Sequence, residues 1–386
     1  MTDWITSPIE PSLLRGALEL ESTKYGVLPH RLPAWARAQA PDDQLAMAEA
    51  QPSGVRLVFR TRATAIELDA LPTRIAYRGA PPPPAGSYDL VLDGQLAGQA
   101  SVATGNVHTI DISTRSTSTT AGEPGTASFT GLPDDLKDIE IWLPHREITE
   151  LIALRTNAPI EPATNTGRRV WLHHGSSISH GSNAESPTGT WPAVTARLAE
   201  VELINLGFGG SALLDPFTAR ALRDTPADLI SLKLGINVVG GDLMRLRAFG
   251  PAVHGFLHTI REGRPTTPLL VVSPIFCPIH EDTPGPGAAD FSDGKVRFLA
   301  LGDPAERASG KLTLNVIRDE LSRIVTQRAA NDPNLYHLDG RAMYGEADFA
   351  DLPLPDQLHP DAATHRRMGE RFAELAFGTD GPFAQL

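Results

Sequence analysis

The stretch R-V-W-L-H-H-G-S-S-I-S-H-G-S-N, residues 169–183, decides how the second half of the chain folds. A short apolar run leads into His173, His174 and Gly175, and then Ser176, Ser177 and Ser179 precede Gly181. An apolar run of strand length that stops at glycine and serine reads as a buried strand handing over to a turn and a helix. Either these serines form a polar loop, or one of them is held at a strand end where it faces a cleft. Ser177 is the candidate. Taken alone, such a serine reads as a helix cap or loop residue.

The chain downstream repeats the pattern. Strand candidates recur at V-E-L-I-N-L-G (201–207), D-L-I-S-L-K-L-G (228–235), P-L-L-V-V-S-P (268–274) and L-Y-H-L-D-G (335–340). Helix-like stretches lie at about 189–200, 241–263, 308–330 and 361–377. Strands alternating with longer amphipathic segments imply βαβ units, hence an α/β domain with a parallel sheet covered on both faces, over residues 168–386. In open sheets of this kind chemistry gathers beyond the carboxyl ends of the strands. Four strand ends carry unusual residues there: H-H-G-S-S, N-L-G-F-G-G, L-G-I-N and S-P-I-F-C-P.

Residues 1–160 have a different rhythm. Short, alternating apolar segments such as V-R-L-V-F-R (55–60), T-A-I-E-L-D-A (64–70), Y-D-L-V-L-D-G (88–94), I-E-I-W-L-P (139–144) and E-L-I-A-L-R (150–155) are separated by P-P-P-P-A-G (81–86) and a Ser/Thr/Gly-rich stretch at 113–126. These predict an N-terminal antiparallel β-sandwich, joined to the α/β half by a linker at 158–167.

Composition narrows the function. The chain has 386 residues, which favours two domains, and a formal charge of −12, which disfavours nucleic acid and anionic membrane as partners. No apolar run reaches the roughly 18 residues a membrane span needs. The N-terminus lacks the basic start and apolar stretch of a secretory signal. The single cysteine, Cys277, rules out an internal disulfide or a cysteine-built zinc site, so a reduced, cytoplasmic protein is the simplest reading.

A serine becomes a useful nucleophile only with a base in reach and a group that steadies the base. The segment L-P-D-Q-L-H-P-D (354–361) supplies both: Asp356 and His359 are three apart, so the carboxylate can hold the imidazole from behind. The plainer reading is a helix-entry loop with Pro360 in the first turn. Negative charge on a carbonyl oxygen also needs donors. The backbone N–H groups of Ser177 and Gly210 and the side-chain amide of Asn237 are candidates, although a turn glycine and a capping asparagine explain the last two if each stands alone. His173, His174 and His180 have no accompanying carboxylate pattern, so no metal site is expected; the pair before the turn is expected near the pocket. Cys277 reads as a small buried hydrophobe and His365 as a residue on the exposed side of the final helix. The Gly- and Pro-rich segment 277–298 reads as a long loop without its own structure, either a lid or a plain surface excursion.

Together Gly175-x-Ser177-x3-Gly181, the loop ending at Gly210, Gly235-x-Asn237 and Asp356-x-x-His359 resemble the four sequence blocks of the SGNH (GDSL) hydrolases, over roughly residues 168–378. The resemblance implies a flavodoxin-like three-layer α/β/α fold, Ser177 as nucleophile, His359 as base and Asp356 as orienting acid. It further implies an oxyanion hole from the N–H groups of Ser177 and Gly210 and the Asn237 side chain, with no cofactor. Ser176 stands where the family carries aspartate, and Val238 where an aspartate follows the asparagine. The N-terminal half resembles the carbohydrate-binding or jelly-roll-like modules attached to some members, and the two-domain plan resembles acyltransferases of tetracycline-type polyketide pathways. The expected reaction is acyl transfer from an ester or acyl-CoA donor to a hydroxyl of a small natural-product acceptor. An esterase acting on small esters or acetylated carbohydrates is the alternative, and a catalytically silent glycan-binding protein is the reading from another class.

Overall fold

The computed structural model describes residues 3–40, 42–111, 114, 116–291 and 295–384, and the chain divides into two compact units. The first comprises Met1–Pro33, Glu49–Gly167 and Ser186–Thr188; the second comprises Ala34–Ala48, Arg168–Glu185 and Gly189–Leu386. Parts of two sequence-stretch expectations, at residues 113 and 115 and at 292–294, lie outside the described residues.

The first unit is built from two sheets. One runs in the order Ser116–Thr120, Asn106–Asp111, Ala65–Tyr77, Glu147–Thr156, Val27–His30, Glu19–Ser22. The other runs Ile160–Glu161, Arg56–Thr61, Lys137–Trp142, Ser87–Leu92, Gln95–Ser101. Strand alternation does its usual sorting. Ile66, Leu68 and Ala70 enter a core with Leu57, Phe59, Leu90, Ile139 and Ile141 from the other sheet. The intervening Glu67 and Asp69 face away and both accept hydrogen bonds from Arg155 on the paired strand, at 2.7 and 2.9 Å. The pairing is antiparallel except where Ala65–Tyr77 meets Asn106–Asp111, which is parallel. The stretch 158–167 is not simply a linker: Ile160–Glu161 adds an edge strand against Arg60 and Thr61.

The second unit carries a five-stranded parallel sheet in the order Glu202–Gly207, Val170–Gly175, Leu229–Lys233, Leu269–Val272, Leu335–Leu338. By chain order this is 2-1-3-4-5, the flavodoxin-like winding. Side chains alternate between the two covered faces. On one, Trp171 stacks on Phe372 at 5.4 Å between centroids and His173 meets Trp191 edge-on at 4.8 Å. Those partners belong to the helices Trp191–Leu198 and Ala362–Phe377, which pack so closely that a Cβ on Gly369 would sit 2.7 Å from Val194. On the other face His174 stacks against Phe256 of the helix Leu246–Gly263. The helix Leu314–Ala329 completes the expected set, and Pro216–Asp224 adds one that periodicity alone did not reveal. It is only nine residues long, shorter than the window over which a helical period stands out. Among the described residues no helix is long and apolar enough to cross a membrane.

Candidate active site

Ser177 opens a four-residue helix, Ser177–His180, directly after the strand Val170–Gly175. The Oγ of Ser176 accepts the Ile178 N–H, so this serine caps the turn as a short side-chain acceptor should. Beneath the turn lies a buried polar chain. Trp171 Nε1 donates to Ser231 Oγ at 2.8 Å, Ser231 Oγ meets His173 Nδ1 at 2.7 Å, and His173 Nε2 meets Ser179 Oγ at 2.8 Å. Burial, reinforced by His174 and Lys233, holds His173 well below its ordinary pKa. A neutral imidazole, one N–H and one acceptor, suits the two hydroxyls. Asn205 ties the same turn down by donating to the Ser179 carbonyl at 2.9 Å. Only glycine fits at 207, because a Cβ there would lie 2.5 Å from the His180 nitrogen.

The expected Ser–His–Asp residues come together. Ser177 Oγ is 2.9 Å from His359 Nε2, and His359 Nδ1 is 2.8 Å from Asp356 Oδ2. Asp356 is saturated with donors. Its Oδ1 accepts the N–H groups of Leu358 and His359 at 3.0 and 2.6 Å, and its Oδ2 also accepts Asn183 Nδ2 at 3.0 Å. Burial opposes ionisation of this carboxyl, but the His359 ring and these backbone N–H groups outweigh it and hold Asp356 below its usual pKa. A carboxylate so held stays ionised at neutral pH and fixes the imidazole with its Nε2 lone pair toward the serine.

The candidate donors sit on three neighbouring segments. Gly210, at φ +74°, occupies the left-handed region that a side chain resists. Asn237, in the short helix Ile236–Gly240, accepts the Ala212 N–H on its Oδ1 at 3.1 Å, which leaves its NH2 for another acceptor. Among the described residues, neither the Ser177 nor the Gly210 N–H nor the Asn237 NH2 has an acceptor.

Three further residues were missed by sequence reasoning. Asn183, the last letter of the opening stretch, steadies Asp356. Phe298 lays its ring edge-on against His359 at 5.2 Å and donates its N–H to the Asp356 carbonyl at 2.9 Å. Gln44, from far upstream, donates to the Gly209 carbonyl at 2.9 Å. Asparagine and glutamine are common surface residues, and nothing in a one-dimensional pattern brings residue 44 to residue 209. Around Phe298 the 277–298 segment is not structureless, since Gly287–Asp290 pairs antiparallel with Arg297–Ala300.

His173 and His174 are core residues, 0% and 1% exposed, holding the turn and the sheet from below. One histidine expectation is corrected. His365 is wholly buried, because the terminal helix turns this face inward: its Nδ1 accepts the Trp191 N–H at 3.3 Å and its Nε2 donates to the Ser182 carbonyl at 2.9 Å. Burial pushes its pKa down to about 4. Cys277, 1% exposed, is pushed up to about 12 by burial, and the buried Lys233 is pushed down to about 7 by burial and then by Arg318.

His365 makes acid destabilising. Its folded pKa lies below its unfolded value, so the unfolded chain takes up the proton first. This contribution to stability is whole above about pH 6.5 and is lost as pH falls toward 4, up to on the order of 3 kcal/mol. His365→Gln is expected to flatten the fall in unfolding free energy between pH 7 and 4.5, measured in urea, with a residual slope from His173. A slope equal to that of the wild type contradicts the assignment.

A parallel 2-1-3-4-5 sheet with a Ser–His–Asp relay at its carboxyl rim defines an acyl-transfer enzyme of the SGNH class. The chain belongs to the GDSL-like lipase/acylhydrolase family, whose model matches residues 174–367. A second model, the SsfX3 N-terminal domain, matches residues 13–151. Among solved structures, the chain is similar to the salicylyl-acyltransferase SsfX3 from a tetracycline biosynthetic pathway, at 27% identity and TM-score 0.78, covering 96% of this chain and 95% of that one. A GDSL-like lipase from Bacteroides ovatus is 18% identical at TM-score 0.69, covering 96% of each chain. A family two carbohydrate esterase from Cellvibrio japonicus is 12% identical at TM-score 0.55, covering 97% of each. The latter two likenesses bear on the fold. No curated protein sequence matches the chain.

Proposed function

We propose that the protein is an acyltransferase working through an acyl-enzyme on Ser177. The observation that carries the reading is the continuous relay from Ser177 Oγ to His359 Nε2 at 2.9 Å and from His359 Nδ1 to Asp356 Oδ2 at 2.8 Å. His359 takes the Ser177 proton as Oγ attacks the carbonyl carbon of an ester or thioester. The resulting oxyanion meets the N–H groups of Ser177 and Gly210 and the Asn237 NH2. Collapse of the tetrahedral intermediate expels the alcohol or thiol, which leaves with the proton from His359. An acceptor hydroxyl then gives its proton to His359 and takes the acyl group, restoring Ser177.

The choice of an alcohol over water as acceptor rests on the likeness to the salicylyl-acyltransferase, which spans nearly the whole of both chains. The edge-on Phe298 ring supports it, since an apolar cover on the base disfavours water there. An aromatic acyl group on a thioester, passed to a hydroxyl of a small natural product, is therefore the first donor and acceptor class to test. Incubation with aromatic and aliphatic acyl-CoA or ester donors, followed by intact-mass measurement, is expected to show an acyl adduct absent from Ser177→Ala. Added alcohols are then expected to discharge the adduct faster than water does. Discharge to water alone, whatever the alcohol, makes the enzyme an esterase and overturns the transferase reading.

A further inference from the structure

We infer that Gln44 is a positioning residue for the reaction: it fixes the Gly209–Gly210 peptide so that the Gly210 N–H is aimed at the oxyanion. The inference rests on the proposed role of Gly210 as an oxyanion donor.

The geometry begins with the peptide bond. In a trans peptide the carbonyl of Gly209 and the N–H of Gly210 belong to one planar group and point in opposite directions. Whatever holds the oxygen therefore sets where the hydrogen points. The loop here, N-L-G-F-G-G-S (205–211), has two adjacent glycines at the critical peptide, and so little intrinsic preference for one orientation. It is fixed on its downstream side by Asn237 Oδ1, which accepts the Ala212 N–H at 3.1 Å, and by a turn in which Ser211 N–H donates to the Phe208 carbonyl at 3.1 Å. On the critical peptide itself the hold is Gln44, whose Nε2 donates to the Gly209 oxygen at 2.9 Å.

Gln44 also occupies the space over Gly210. A Cβ on Gly210 would lie 3.3 Å from both Gln44 Cγ and Nε2, so the side chain is laid along the loop and not merely touching it at one atom. Its own position is well supported. The segment Ala34–Ala48 is part of the catalytic unit, although it comes from early in the chain. Arg220, on the helix Pro216–Asp224, lies 5.6 Å over the Trp35 ring and donates to Gln39 Oε1 at 2.6 Å. Asp42 Oδ1 accepts the Leu45 N–H at 2.9 Å, starting the helical turn on which Gln44 sits. The two Arg220 contacts dock this segment beside the oxyanion loop, and the Asp42 bond orders the turn that carries Gln44.

Holding the carbonyl has an electronic effect as well. A donor on the Gly209 oxygen polarises the whole amide and makes the Gly210 N–H a stronger donor. Such an effect is worth most when charge develops on the substrate oxygen, in the transition state, and least for the neutral carbonyl of the bound ester. Gln44 should accordingly act on kcat and leave KM nearly unchanged.

The test uses full-length protein and a p-nitrophenyl ester. Gln44→Met keeps the length and removes the N–H donor; Gln44→Lys keeps a donor on a similar stem. For the methionine variant kcat is expected to fall about fivefold to thirtyfold with KM within about twofold, the size expected for weakening one oxyanion donor. Affinity for a boronic acid transition-state analogue is expected to fall by the same factor, while affinity for the carboxylate product stays unchanged. The lysine variant is expected to recover most of kcat. Because Gln44 is exposed, melting temperatures of all variants should match the wild type. A methionine variant with wild-type kcat and boronate affinity overturns the inference, as does a loss confined to KM or to stability. Ser177→Ala run in parallel separates the two levels: if it stays active, the catalytic reading itself has failed, and if it is dead while Gln44→Met is unaffected, only the role of Gln44 is lost.

Discussion

Ser177→Ala is expected to lower turnover of an activated ester by at least about a thousandfold, leaving only what oxyanion donors and binding supply without a nucleophile. His359→Ala should cost about as much, because an Oγ with no base at 2.9 Å is an ordinary hydroxyl. The double variant should be no worse than either single one, since the two groups act as a unit. Asp356→Asn is expected to be milder than either. It keeps the acceptor for the Leu358 and His359 N–H groups, yet an amide placed opposite Nδ1 can turn the imidazole to the wrong tautomer. Single-turnover kinetics with p-nitrophenyl acetate measure all four. Retention of activity within tenfold in Ser177→Ala excludes it as the nucleophile, and the same result for His359→Ala excludes it as the base.

Asn237→Ala is expected to cost a further large factor, about a hundredfold to a thousandfold in kcat with little change in KM. The residue does two jobs with one amide. Its oxygen anchors the Ala212 N–H at 3.1 Å and so helps set the Gly210 loop, while its NH2 is left for the oxyanion. Asn237→Asp separates them. Aspartate keeps an oxygen for Ala212 but replaces the NH2 donor by a second, negatively charged oxygen facing a developing negative charge. The aspartate variant should thus be at least as impaired as the alanine variant. If it instead works at near wild-type rate, the asparagine is only a loop anchor and the oxyanion is met elsewhere.

The architecture of the catalytic unit was legible because strand and helix periods differ. Segments such as D-L-I-S-L-K-L-G and P-L-L-V-V-S-P are short, apolar and bounded by turn residues, and each became a central parallel strand. Three of the four blocks were legible because each follows the end of a parallel strand; the fourth, Asp356-x-x-His359, lies in the approach to the terminal helix and was legible by its spacing. What escaped was set by tertiary packing. His365 looked exposed because T-H-R-R-M-G-E-R-F is polar overall, yet an imidazole with two satisfied nitrogens is at home inside. His173 and His174 alternate along a strand covered on both faces, so each is buried under the turn and not exposed in a pocket. Gln44 and Asn183 act through single hydrogen bonds to distant backbone or side-chain atoms, and no local pattern marks such residues. The parallel pairing of Ala65–Tyr77 with Asn106–Asp111 was equally hidden, since alternation fixes which face is buried and not which neighbour a strand chooses.

The proposed nucleophile Ser177 and its proposed base His359 are 182 residues apart in the chain, and His359 is delivered by the approach to the terminal helix, which His365 pins to the Ser182 carbonyl. During synthesis Ser177 therefore leaves the ribosome well before His359, by roughly 10–40 s at ordinary elongation rates. Throughout that interval the serine has no base and cannot be acylated efficiently by cellular thioesters. In the proposed relay Ser177 thus acquires its base only when the last helix docks, which delays acylation until the chain is folded.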